Sequence, residues 1–319
     1  MTDSNFEIKT LDTASALTMR MVESLENFTS RLKRFSARLR FMKYEIQFGE
    51  RDEDIYVVSF LKSGTTWMQQ TLYQLTTSGE MNFKHIYDVS PWLRNLSFTS
   101  SPLPNLPSPR IIKSHDPYPL FKKVKKGKFI FLLRNGMDVA ASLYHHRKDY
   151  NDNKITFDKS FDLSFVQSGQ ENWFEFNREW LQNINKHNIL CVRYEDLKTD
   201  FDSTLHQIAA FLSFNPNAET IARVKARASF EFMKLHETKF GEQPPESKHA
   251  IVYDNFIRKG ELGEGGKYMS EEQVKLFMGR LIKNLSGFKE MQPYLESLKQ
   301  TSKQEIVKHH AIKEELIAV

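Results

Sequence analysis

The stretch Tyr56–Gln70, YVVSFLKSGTTWMQQ, constrains this chain most. The apolar run Ile55, Tyr56, Val57, Val58 predicts a buried strand. It ends in the loop Lys62-Ser63-Gly64-Thr65-Thr66, after which Trp67, Met68, Leu72 and Leu75 recur at a helical spacing. Strand, glycine loop and helix aim unpaired backbone N–H groups and the positive end of a helix dipole at one point. Such a point holds an anion. Lys62 adds a full charge, Ser63, Thr65 and Thr66 add hydroxyls, and Gly64 lets the backbone come close. The loop is not a Walker A motif, which needs G-x-x-x-x-G-K-[ST] with its lysine after the glycines. The plain alternative is an ordinary connection carrying a surface lysine.

The pattern repeats downstream. Arg110-Ile111-Ile112-Lys113-Ser114-His115 predicts a short strand with a polar end, and Lys128–Leu133, KFIFLL, predicts a buried one closed by Arg134-Asn135-Gly136. Ile189–Val192 predicts a fourth, ending in Arg193-Tyr194. Helical patterns cover the segment after Gly136, Trp173–Asn185, Leu205–Leu212, residues 217–234 and residues 270–299. Residues 97–109 (Pro- and Ser-rich), 147–170 and 237–269 read as irregular, the middle one as a loop or lid. Short apolar strands alternating with helices mean a parallel sheet covered on both faces. The expected fold is α/β: a single domain, P-loop-like, with a central parallel sheet flanked by helices. Polar groups end strand after strand, and in an open α/β sheet the ligand sits beyond the strands' carboxyl ends. They are therefore expected to converge on one crevice.

Composition removes other classes. The chain has 319 residues, 40% apolar and 27% charged, an ordinary soluble balance. A net charge of +5 suits an anionic ligand. No basic and aromatic residues alternate as in single-strand binders, so nucleic acid is not expected. The one cysteine, Cys191, excludes an internal disulfide and fits a reducing, cytoplasmic setting. No signal-peptide core and no apolar run of ~18 residues is visible. Histidine spacing offers no metal site.

Lys62, Arg134 and Lys259 supply cationic donors for phosphate or sulfate oxygens. His115 is the only histidine at an expected strand end and is able to take a proton near neutral pH. The alternatives are a satisfied loop histidine and, for Arg134, an ion pair with Asp138.

Five islands, in order, resemble the cytosolic-type sulfotransferases, which use 3′-phosphoadenosine-5′-phosphosulfate (PAPS). Lys62-Ser63-Gly64-Thr65-Thr66-Trp67 is similar to the family's 5′-phosphosulfate loop. Lys113-Ser114-His115 resembles the segment with the catalytic histidine. Arg134 through Ser142 resembles the 3′-phosphate segment. Tyr194-Glu195-Asp196-Leu197 is similar to the segment near the adenine, and Phe256 through Gly263 (FIRKGELG) to the late Arg-Lys-Gly-x-x-Gly closing motif. The resemblance implies His115 as general base, with Lys62 and Lys113 stabilising the transferring group. It places Arg134, Ser142, Arg258 and Lys259 on the 3′-phosphate, and Trp67 and Phe230 about the adenine. Tyr194, Ser229, Phe256 and Gly260 complete the cofactor set, and no metal is needed. Two departures stand out. Glu264-Gly265-Gly266-Lys267 replaces the usual Asp-Trp-Lys, which implies a looser lid, and Ala228 stands where a threonine is usual. A nucleotide-dependent phosphotransferase and a non-catalytic PAP-binding or membrane-docking module are the rival readings.

The acceptor is expected to be a small, apolar hydroxylated molecule or amine, because aromatics make up 13% of the chain. Candidate lining residues are Phe83, Tyr87, Trp92, Phe98, Tyr118, Tyr144, Phe165, Trp173, Phe174 and Phe240. Outside the domain (46–300) lie an N-terminal extension (1–45) and a C-terminal helical tail (301–319). In the extension, Leu25, Phe28, Leu32, Phe35, Leu39 and Met42 draw one apolar stripe down a basic helix. The simplest expectation packs it on its own domain. A coiled-coil seam and a membrane-surface helix are the alternatives. Nothing in the pattern sets the oligomeric state.

Overall fold

A computed structural model describes residues 28, 32, 35–96, 106, 108–169, 172–241 and 256–297. The C-terminal tail expected over 301–319, and Phe98, lie outside them. Two compact units divide after Gly49.

The first unit is helix α1, residues 35–47, with Phe28 and Leu32 also helical. It stops where Gly49 takes φ +63°, with Phe48 N–H donating to the Tyr44 carbonyl at 2.8 Å. A left-handed glycine is a common helix terminator because it carries no Cβ. Ala37, Phe41 and Tyr44 are the buried side chains, whereas Phe28, Leu32, Phe35, Leu39 and Met42 are exposed.

The second unit carries the sheet: β1 (Ile55–Ser59), β2 (Ile111–Ser114), β3 (Lys128–Leu133) and β4 (Ile189–Arg193). All pairings are parallel in the order β2-β1-β3-β4. The four strands match those expected to within a residue or two. Register aligns Val58 with Ser114, Ser59 with Leu132, and Leu133 with Arg193. The four polar strand ends therefore share one rim. Neighbours of β1 lie on both sides, so the chain reverses direction of build there, and that is where open α/β sheets bind ligands.

The helices are α2 (Thr65–Thr76), α3 (Leu93–Leu96), α4 (Tyr118–Phe121), α5 (Gly136–Tyr150), α6 (Phe157–Phe161), α7 (Trp173–Leu181), α8 (Tyr194–Thr199), α9 (Phe201–Leu212), α10 (Ala218–Arg227), α11 (Phe230–Leu235) and α12 (Glu271–Leu285). Alternation along the strands splits the core. Ile55, Val57, Ile130 and Leu132 meet Met68, Leu72, Leu205 and Ile208 of α2 and α9. On the other side, Tyr56 stacks on Phe129 at 4.7 Å, and Phe131 stacks on Trp180 of α7 at 5.7 Å. Fully burying one such side chain is worth about 1.5–3 kcal/mol.

The segment 147–170 differs from expectation. It is largely helical, because the buried Arg147 donates to the Ser160 carbonyl at 2.6 Å and to Ser164 Oγ at 2.7 Å. Its polar residues face that internal arginine and the solvent.

At the amino edge of the sheet, Arg110 makes a two-pronged pair with Asp54, at 2.7 and 2.6 Å, with side chains 2% and 0% exposed. Removing one partner leaves an uncompensated buried charge. Asp54→Ala is expected to lower stability by about 3–5 kcal/mol. Denaturant unfolding checks this, and a loss below about 1 kcal/mol contradicts it.

Candidate active site

Lys62 takes φ +61°, a conformation a non-glycine residue rarely adopts, and Gly64 follows at φ +94° as the N-cap of α2. This bends the backbone over the helix N-terminus, where α2 has no side-chain cap. A Cβ on Gly64 would lie 2.7 Å from the Tyr194 ring, so only glycine fits. Ser59 Oγ and Thr65 Oγ1 lie 2.8 Å apart and tie the strand end to the helix start. Lys62 Nζ sits 4.3 Å from the centre of the Phe256 ring.

Beside this loop, His115 Nδ1 lies 2.8 Å from the Ser59 carbonyl. A carbonyl only accepts, so Nδ1 carries the proton in the neutral ring and Nε2 is the basic nitrogen. Lys113, 2% exposed, donates to Tyr87 Oη at 2.9 Å and lies 4.7 Å over the Trp92 ring. Trp92 in turn meets His115 edge-on at 5.6 Å. Aromatic faces and one hydroxyl thus surround the Lys113 ammonium.

Arg134 lies 4.2 Å over the Tyr194 ring and donates from Nη1 to the Lys62 carbonyl at 2.9 Å. Its buried Nε has no hydrogen-bond partner among the described residues. A buried, unmet guanidinium N–H at a glycine cradle suits an incoming oxyanion. The alternative reading of Arg134, an ion pair with Asp138, is not what the structure shows. Asp138 instead accepts from Gly263 N–H at 3.0 Å and Gly265 N–H at 2.9 Å. Burial pushes the Tyr194 hydroxyl up, against the pull of Arg134.

The late motif is not loose. Glu264, 3% exposed, accepts from Lys267 at 2.6 Å, Lys259 at 3.1 Å and Arg258 at 3.3 Å. Hydrogen bonds from Lys267, then Lys259, hold its carboxyl down at about 2. A Cβ on Gly265 would meet the Met137 backbone at 2.3 Å. No side chain fits at Gly265, and that glycine lets the lid lie directly on the start of α5.

One cavity of about 400 Å³ is lined by Lys62, Gly64, Thr65, Thr66, Trp67, Lys113, His115, Arg134, Ser142, Tyr194, Ser229, Phe230, Phe256, Arg258, Lys259 and Gly260. Of the expected site residues, only Ser63 is absent from its lining, and it is buried beneath the loop. Ala228 offers its carbonyl to Trp67 Nε1 at 2.8 Å, and Ser229 caps α11. Most of the aromatic acceptor candidates are core. Phe83, Tyr118, Phe165, Trp173, Phe174 and Phe240 are all buried. Tyr87 and Trp92 alone among them touch Lys113 or His115.

The Sulfotransferase domain family model matches residues 52–311. The chain belongs to the sulfotransferase family. It is 30% identical to human Sulfotransferase 2B1 over 248 residues, covering 74% of this chain and 67% of that one. It is equally identical to rabbit (Oryctolagus cuniculus) Amine sulfotransferase, covering 71% and 79%. Among solved structures, mouse sulfotransferase SULT7A1 complexed with PAP is similar with TM-score 0.59 and 25% identity, covering 77% and 90%. Retinol dehydratase in a complex with retinol and PAP is similar in fold, with TM-score 0.62 and 21% identity, covering 78% and 86%. Sulfotransferase membership removes the support for the phosphotransferase alternative. Among the described residues no helix is long and apolar enough to cross a membrane, and no cluster of His, Cys, Asp and Glu could hold a metal ion.

Sequence reasoning missed several positioning groups in this sulfotransferase. Asp138 and Glu264 hold the lid. Glu195 accepts from Asn135 N–H at 2.9 Å and from Tyr294 Oη at 2.5 Å, bracing the loop that carries Arg134. Burial raises the Glu195 carboxyl, against those hydrogen bonds. All three acids lie inside or beside the recognised islands, but only the fold says which backbone they meet.

Gly265→Ala forces the lid off Met137. Overpacking of this kind costs about 1–3 kcal/mol, so 3′,5′-ADP (PAP) affinity is expected to drop roughly tenfold by calorimetry. Unchanged affinity contradicts a lid seated through Gly265.

Proposed function

We propose that this sulfotransferase moves the sulfuryl group of PAPS to the hydroxyl, or amine, of a small apolar acceptor, with His115 as general base. One observation carries the assignment. The His115 ring is held through Nδ1 in the tautomer that makes Nε2 basic, in the same cavity as Lys62, Lys113 and Arg134.

PAPS supplies an activated sulfuryl group on a phosphate leaving group. The chain's own residues do the rest. Nε2 of His115 takes the proton from the acceptor as its oxygen or nitrogen attacks sulfur in line. Lys62 faces the oxygen that bridges sulfur and phosphorus, and Lys113 offers a second charge to the sulfuryl oxygens. Such transfer rests on positioning and on charge stabilisation in a drained site. Arg134, Ser142, Arg258 and Lys259 hold the 3′-phosphate. Support comes from the unmet Arg134 Nε and from the anchored lid. Trp67, Phe230, Tyr194 and Ser229 frame the adenine. The protein of the mouse structure binds PAP, which agrees with this donor. Tyr87 and Trp92 next to Lys113 and His115 mark the acceptor side and favour an apolar, flat molecule. Cysteine scarcity supports a cytoplasmic setting.

His115→Ala is expected to cut labelled-sulfate transfer roughly 10²–10⁴-fold while PAP binding stays at the wild-type value. Turnover at the wild-type rate would falsify the assignment of the base. Arg134→Glu is expected to weaken PAP by about 10- to 100-fold, with a much smaller effect on adenosine 5′-phosphosulfate, which lacks the 3′-phosphate. Equal losses for the two nucleotides contradict the role given to Arg134.

A further inference from the structure

Helix α1 carries a row of exposed apolar side chains. Phe28, Leu32, Phe35, Leu39, Met42 and Ile46 are 59%, 51%, 59%, 49%, 50% and 80% exposed. At about 100° per residue these six project into an arc of about 80°. The opposite side holds Ala37, Phe41 and Tyr44, which are buried. Ile46 extends the stripe beyond Met42, so the exposed face runs the length of the helix.

The charges bordering the stripe decide what fits it. Arg38 flanks one edge and Lys43 the other, while Glu45 is the one acid near either edge. Counted over 25–46 in the sequence, Arg31, Lys33, Arg34, Arg38, Arg40 and Lys43 face only Glu26 and Glu45. A second copy of the helix laid against this seam in parallel would set Arg38 against Lys43 of the other, and in either orientation two helices with the same excess of positive charge would be brought together. Such pairings disfavour a coiled coil. An anionic lipid surface meets both features at once. Its acyl boundary takes up the phenylalanines and leucines, and its anionic headgroups attract the helix's excess of basic over acidic residues.

We propose that α1 lies on an anionic membrane surface through this face. The apolar acceptor proposed above would concentrate in the same bilayer, but the docking does not depend on that reading.

The test is co-sedimentation of the full chain with phosphatidylcholine vesicles, with and without phosphatidylserine. Light scattering of the lipid-free protein runs beside it. Binding only to the serine-containing vesicles, falling at about 0.5 M salt, is the expected result. Leu39→Asp is expected to abolish binding. Arg38→Glu is expected to weaken it about fivefold or more. Sulfate transfer to a soluble phenol should be unaltered in Leu39→Asp, because its side chain already faces water. Equal binding to neutral vesicles, or unaltered binding by Leu39→Asp, overturns the proposal. A lipid-free dimer that Leu39→Asp dissociates, with no vesicle binding, overturns it in favour of a second copy.

Discussion

Parallel pairing on both sides of β1 is the constraint from which the rest follows. Strands that all run one way place all their carboxyl ends on one rim. The rim residues here are Lys62, His115, Arg134 and Tyr194. None of them is near another in sequence. Each is delivered by a strand whose buried apolar residues fix where it stops. The buried Arg110–Asp54 pair at the far edge has no part in the chemistry. It pins the starts of β1 and β2, and a register fixed at one end of a strand pair is fixed at the other.

Much of this was legible in the chain. Lys128–Leu133 reads as a strand because six apolar or half-apolar residues run without alternation, and the structure gives it those bounds. The loop 62–66 reads as an anion cradle because the glycine sits between strand and helix. What could not be read was which carboxylate meets which backbone. Spacing along α5 offers Asp138, one helical turn on, as an alternative partner for Arg134. In the fold Arg134 instead reaches across to the Lys62 carbonyl, and Asp138 turns to two lid amides. Short-range spacing suggests ion pairs, but backbone N–H groups brought in from more than a hundred residues away compete for the same oxygens.

The same limit applies to hydrophobic pattern. The 3–4 spacing along α1 establishes an amphipathic helix but not what covers it. Here the covered side is the sparse one of Ala37, Phe41 and Tyr44, and the regular stripe faces outward. Aromatic content misled in the other direction. Most of the phenylalanines and tryptophans expected around an acceptor are core: Phe83 and Phe240 join the cluster of α2 and α9, and Phe165, Trp173 and Phe174 pack around Phe277 of α12.

The imidazole of His115 hangs by Nδ1 from the carbonyl of Ser59, the last residue of β1. The anion cradle begins a few residues further along that same strand. Proton acceptor and cradle are thus mounted on one beam. A displacement of the end of β1 would therefore carry the imidazole and the loop that follows the strand together.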